Sequence, residues 1–81
     1  MSDKSITLEV INALGGKANI KQVEACLTRL RVVLNDNHLL NKSVLKKLGA
    51  VDVVKVADTQ QIIFGAKSAS YRDEIKALLN A

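Results

Sequence analysis

The sequence predicts an α+β fold: a two-layer sandwich of order α-β-β-α-β-β-α, with a four-stranded antiparallel sheet and three helices on one face. Two hydrophobic periods alternate along its 81 residues. Spacings of three and four suit helices, and spacings of two suit strands. Only short breaks separate the members of each strand pair, and short connections allow only antiparallel pairing. Three amphipathic helices on one sheet bury their apolar sides together and leave the second sheet face open.

Residues 3–14 read as the first helix, with Ile6, Val10, Ala13 and Leu14 at helical spacing and Asp3 or Ser5 as its cap. Gly15-Gly16 ends it, because glycine accepts the left-handed conformation of a helix C-terminus. Asn19–Ala25 reads as a strand with Val23 and Ala25 on one face and Gln22, Glu24 and, next in the chain, Cys26 on the other. In the second strand Leu30, Val32 and Leu34 face inward, opposite Arg29, Arg31 and Val33. The register of that hairpin places Cys26 and both arginines on one side, away from the core. Asn35-Asp36-Asn37-His38 is turn chemistry. Asn41–Leu48 is a short helix capped by Asn41 or Ser43, with Val44, Leu45 and Leu48 inward and Gly49 as its stop. Val51–Val56 and Gln60–Phe64 are strands around an Ala57-Asp58-Thr59 turn. Ser68–Asn80 is the last helix, begun by Ser68 or Ser70, with Tyr71, Ile75, Leu78 and Leu79 spaced to cover the sheet. The two α-β-β halves repeat in element order, without visible residue similarity. No proline, linker or low-complexity tract divides the chain, which reads as a single domain, 1–81.

Composition narrows the function. Hydrophobic residues make up 48% and aromatic residues 2%, so aliphatic side chains must build the core. No apolar run approaches the ~20 residues needed to span a bilayer, and no signal peptide is visible. A soluble cytoplasmic domain is expected. A net charge of +4 favours acidic partners, but the basic residues form no block, and single-strand readers need stacking aromatics. Nucleic acid is therefore not expected as a partner. One cysteine forms no internal disulfide.

The chemistry concentrates in Ala25-Cys26-Leu27-Thr28-Arg29-Leu30-Arg31. The nucleophilic form of cysteine is the thiolate, and two nearby guanidinium groups favour an anion there. Arginine also grips a tetrahedral oxyanion with a planar fork of donors, and N–H groups around a bend can converge on the same anion. The Thr28 hydroxyl adds a donor. A sulfur in such surroundings suits a phosphoryl group carried on Cys26; it also suits a sulfenate sensor or a tyrosine-phosphatase-like site.

With that heptapeptide come Leu14-Gly15-Gly16, Asn19-Ile20, Leu45-Lys46-Lys47-Leu48-Gly49-Ala50 and Gln61-Ile62-Ile63-Phe64-Gly65. Together these pieces resemble the IIB domain of the glucose and N-acetylglucosamine class of the bacterial phosphoenolpyruvate-dependent sugar phosphotransferase system, over essentially the whole chain. The resemblance implies the same α-β-β-α-β-β-α fold and an enzyme component that transfers phosphoryl groups. It implies that Cys26 accepts a phosphoryl group from a phosphohistidine of a IIA protein and passes it to a sugar held by a membrane-embedded IIC domain. Arg29 and Arg31, with Thr28 as a minor contributor, would bind and transfer the group. It also implies a monomer without cofactor or metal that visits the inner face of the cell membrane through IIC. Three departures stand out: Glu24 replaces a frequent aspartate, Asp52 and Ala57 replace common glycines, and these 81 residues hold no IIC domain of the kind most relatives carry fused, as in either a separate subunit or an excised domain. They leave open a regulatory or degenerate binding module that takes no part in sugar transfer.

Other residues read more simply. His38 alone in a turn is expected to be exposed and idle, because a metal would need further ligands. Lys42, Lys46 and Lys47 form a solvated helix face. Phe64 and Tyr71, each alone in its element, are expected in the core.

Overall fold

A computed structural model describes residues 4–80. Helix α1 spans Lys4–Ala13, strands β1 and β2 span Ile20–Cys26 and Arg29–Leu34, and helix α2 spans Lys42–Lys47. Strands β3 and β4 span Val53–Val56 and Thr59–Ile63, and helix α3 spans Ser68–Leu79. The element order is the expected one, and the four strands form one antiparallel sheet in the order β1-β2-β4-β3. Three single-turn 3₁₀ helices, Lys17–Asn19, Asn37–Leu39 and Gly65–Lys67, occupy connections that the sequence marked only as breaks.

Side-chain alternation divides the sheet cleanly. Ala25, Leu30, Ile62 and Val53 form one cross-strand row, and Val23, Val32 and Gln60 form the next core-facing row. Of these, Leu30, Val32 and Ile62 are fully buried. The interleaved rows point the other way: Cys26, Arg29 and Ile63; then Glu24, Arg31, Gln61 and Val54; then Gln22, Val33, Thr59 and Val56. Val54 and Val56 are exposed there, as expected of an uncovered sheet face.

The helices cover the core face. Val10, Ile11, Ala13 and Leu14 of the first helical segment join Leu45, Tyr71, Ile75 and the sheet in one core. Helix α1 buries more than its periodicity indicated. Thr7 is also fully buried and donates its Oγ1 hydrogen to Glu74 Oε1 of α3 at 2.9 Å. Phe64 and Tyr71 are both buried as expected, and they touch each other at a centroid distance of 4.6 Å.

Helix ends explain both glycine stops. Gly16 N donates to Ile11 O and Gly15 N to Asn12 O, the two bonds of a Schellman motif with Gly15 at φ 101°. At the end of α2, Ala50 N donates to Leu45 O and Gly49 N to Lys46 O, with Gly49 at φ 116°. The two halves thus repeat a local device as well as an element order. In each, a helix ends on a left-handed glycine and leads into a hairpin.

Several boundaries differ from expectation. Asn19 belongs to a 3₁₀ turn rather than to β1, and it is only 5% exposed. Its Nδ2 donates to Leu14 O at 2.8 Å and Asp36 O at 3.0 Å, and its Oδ1 accepts from Asp36 N at 2.8 Å. Strand β3 begins at Val53, and the second hairpin turn holds only Ala57 and Asp58, because Thr59 already pairs with Val56. Asn41 caps α2 by accepting from Val44 N at 3.2 Å, and Ser43 lies within that helix. Ser5 likewise lies within α1, and Asp3 is outside the described residues. Ser68 is not a cap either. It is the first residue of α3, fully buried, with an Oγ that has no hydrogen-bond partner among the described residues.

Candidate functional site

The site grows from the β1–β2 hairpin. Cys26 is the last residue of β1, Arg29 is the first of β2, and the two are cross-strand partners. That register leaves a two-residue turn, Leu27-Thr28. Such turns follow the right-handed twist of the strands only if the first turn residue takes a positive φ. Leu27 does so at φ 55°, a conformation that costs a residue with a Cβ about 1–2 kcal/mol. The second hairpin solves the same problem with Ala57, also at φ 55°. Gly65 N donates to Thr28 O at 2.9 Å and ties the first turn to the segment that starts α3.

The thiol of Cys26 is free and exposed. Directly opposite partners in a sheet hold their Cβ atoms about 4.5–5.5 Å apart, which sets Arg29 beside the sulfur. Arg31 stands one row further down the same face, opposite Glu24. The guanidinium of Arg29 leans across the sheet and donates from Nη1 to Gln61 Oε1 at 2.6 Å. Cys26, Leu27, Thr28, Arg29, Arg31 and Gln61 line an open recess of about 490 Å³.

No carboxylate lines this recess. The nearest in register, Glu24, accepts from Lys76 Nζ of α3 at 3.0 Å, which holds its charge toward the β1 edge. Cationic and neutral donors therefore face the sulfur, an arrangement that favours a bound anion. Among the described residues, no group of three or more His, Cys, Asp and Glu side chains is placed to hold a metal ion.

The structure thus brings Cys26, Thr28, Arg29 and Arg31 together on one rim. Gln61 was missed because nothing in the sequence states that β4 lies against β2. Once that order is known, its position opposite Arg31 follows. His38 lies elsewhere, beyond β2, and is exposed as expected. It is not idle, however: its backbone N–H and Nδ1 both contact Asp36 Oδ1, at 2.9 Å and 3.1 Å. The two replaced glycines also lie outside the recess. Asp52 is beside the far edge strand, about 14 Å from Cys26 at the usual strand spacing. Its Oδ1 accepts from Val53 N at 2.8 Å and lies 3.9 Å from Lys46 Nζ. Ala57 occupies the turn at the opposite end of the sheet. Among the described residues, no helix is long and apolar enough to cross a membrane.

Comparison with known proteins points to the same hairpin. Residues 8–41, which include all of β1 and β2, match the family model described as phosphotransferase system, EIIB. The whole fold is similar to the crystal structure of one domain of the PTS system IIabc component from Clostridium difficile. That likeness has a TM-score of 0.72 and 27% sequence identity, and it covers 95% of this chain and 78% of the other.

Proposed function

We propose that this chain is a phosphocarrier of the sugar phosphotransferase system, a IIB domain in which Cys26 carries the phosphoryl group. The observation that supports this reading best is an exposed thiol with Arg29 directly across the ladder, inside the segment that matches the EIIB family model. The Cys26 thiolate attacks the phosphorus of a phosphohistidine on a IIA protein. The S–P bond forms as the N–P bond breaks, and the histidine nitrogen leaves with the electron pair and takes up a proton. In the second transfer a sugar hydroxyl oxygen, bound in a IIC domain, attacks the phosphorus. The O–P bond forms, the S–P bond breaks, the hydroxyl gives up its proton to a base, and the thiolate is regenerated.

Little covalent chemistry is left for the protein beyond the nucleophile itself, so positioning and charge stabilisation dominate. Arg29, oriented by Gln61, and Arg31 neutralise the three phosphoryl oxygens, and the Thr28 hydroxyl adds a donor at the turn. The reading extends to the glucose and N-acetylglucosamine class, supported by the resemblance of the heptapeptide around Cys26. The carrier works as a monomer at the cytoplasmic face of the membrane. The departures at Asp52 and Ala57 lie outside the recess and give no reason to prefer a binding module without transfer.

Intact mass after incubation with phosphoenolpyruvate, the general phosphotransferase proteins and a glucose-class IIA protein tests the reading. The wild type is expected to gain one phosphoryl group and Cys26→Ser none. A variant lacking the thiol that is still phosphorylated normally would refute the assignment.

A further inference from the structure

The two guanidinium groups of the recess are held differently. Arg29 is the cross-strand partner of Cys26 on β1, yet its Nη1 donates to Gln61 Oε1 at 2.6 Å, and Gln61 lies on β4, on the other flank of β2. Strands two places apart in a sheet are about 9.5 Å from one another, so this bond draws the charge away from the sulfur. Arg31 has no such tether. The carboxylate opposite it in register, Glu24, is taken by Lys76 Nζ at 3.0 Å, and the Arg31 guanidinium bonds to no described side chain. One arginine is therefore free to meet an arriving anion, and the other is occupied.

The chemistry of the tether sets how easily it lets go. Gln61 offers a single uncharged oxygen at the surface, a contact that water exchanges at little cost. A phosphoryl group offers the same guanidinium two oxygens and a charge of about −1.5 to −2, which together take a bidentate pair of bonds. The phosphoryl group wins that competition. A carboxylate at this position would hold Arg29 as firmly as the phosphoryl group does and would repel it as well; an amide does neither. From these contacts, and resting on the carrier reading above, we propose that Gln61 is a positioning residue that holds Arg29 off the empty sulfur and yields it to the phosphoryl group on Cys26. The contact that orients Arg29 in the resting recess breaks when the recess is filled and re-forms when the group leaves. The resting thiol then gains less from Arg29 than their register alone would give it, and phosphocysteine gains both arginines.

The test removes the acceptor and follows the sulfur. Gln61→Met keeps the length of the side chain and frees Arg29, whose charge beside the sulfur favours the thiolate. Iodoacetamide therefore alkylates the unphosphorylated variant at pH 7 about two- to threefold faster than the wild type. In an Arg29→Ala background the same substitution leaves the rate unchanged, because nothing is left to release; a merely structural effect would appear in both backgrounds. In the wild type, phosphorylation through a glucose-class IIA protein moves the Gln61 side-chain amide signals of the proton–nitrogen spectrum toward their positions in unphosphorylated Arg29→Ala. The inference is overturned if Gln61→Met is alkylated no faster than the wild type, or is accelerated equally without Arg29. It is also overturned if phosphorylation leaves the Gln61 amide signals where they were. A wild type that takes no phosphoryl group overturns the carrier reading and the hand-over with it, whereas the alkylation rates need no donor and test the Arg29 tether on their own.

Discussion

Replacing Asn19 by alanine removes a buried cross-connection at the end of the molecule remote from the thiol. Three hydrogen bonds disappear, two from Nδ2 and one to Oδ1, all between 2.8 and 3.0 Å. Each contributes about 1 kcal/mol net, and Leu14 O loses a buried donor, so the substitution costs about 2–4 kcal/mol. Global stability for a chain of this length is about 4–12 kcal/mol, so the loss is a large fraction of the total. With a urea m-value of about 1.5 kcal/mol/M, the midpoint falls by roughly 1.3–2.7 M. Far-UV circular dichroism is the suitable probe, because the chain has no tryptophan. Gly15 supplies an internal check. A Cβ there would lie 2.5 Å from Asn19 Nδ2 and 2.8 Å from Leu39 Cβ. Gly15→Ala therefore destabilises alone, and it costs less when Asn19 is already alanine, with a coupling above about 0.5 kcal/mol. A loss below 1 kcal/mol for Asn19→Ala, or strictly additive effects, would refute the reasoning. On the carrier reading, folded Asn19→Ala protein should still accept a phosphoryl group, since the length of β1, about 20 Å, separates the two sites.

Two further outcomes follow from local geometry. Ala57→Gly relieves the left-handed strain in the second hairpin and stabilises the domain by about 0.5–1 kcal/mol, net of the added freedom of the unfolded chain; a lower urea midpoint would contradict this. The Asp36 carboxyl is held below its ordinary value of 3.8, first by the backbone N–H of His38, then by the His38 side chain through a hydrogen bond and its charge. A depressed folded value means stabilisation that is complete above the unfolded pKa and is lost as pH falls through the folded one. Urea midpoints should therefore drop below about pH 4, and Asp36→Asn should drop less steeply; parallel acid limbs would rule out this source.

What the sequence made legible was whatever depends on near neighbours. The inward set Leu30, Val32 and Leu34 follows from a period of two, and Gly15, Gly49 and Asn41 announce helix ends because their local conformations or side chains suit few other places. What stayed hidden depends on contacts distant in sequence. Asn19 reads as an ordinary strand residue until Asp36 is brought against it, and Gln61 gains meaning only when β4 lies beside β2. Ser68 has the composition of a cap, yet α3 begins one residue too early for that role and packing buries the hydroxyl. Leu27 was invisible for the opposite reason. Leucine is not a turn residue, so its left-handed backbone contradicts local propensity. The candidate site was legible as a set of residue types on one side of the first hairpin, whereas its sixth lining residue, Gln61, came only with the sheet order.

The place of Cys26, at the end of an edge strand and beside a two-residue turn, has a kinetic consequence. On the carrier reading the donor and the acceptor must each reach the same sulfur, and a tip this small admits one of them at a time. The two deliveries then form a queue, and throughput depends on how fast each visitor departs. Excess donor, even unphosphorylated, would occupy the tip and slow onward delivery, so sugar flux should pass through a maximum as donor concentration rises. A carrier of this shape works best with partners that bind loosely and leave quickly.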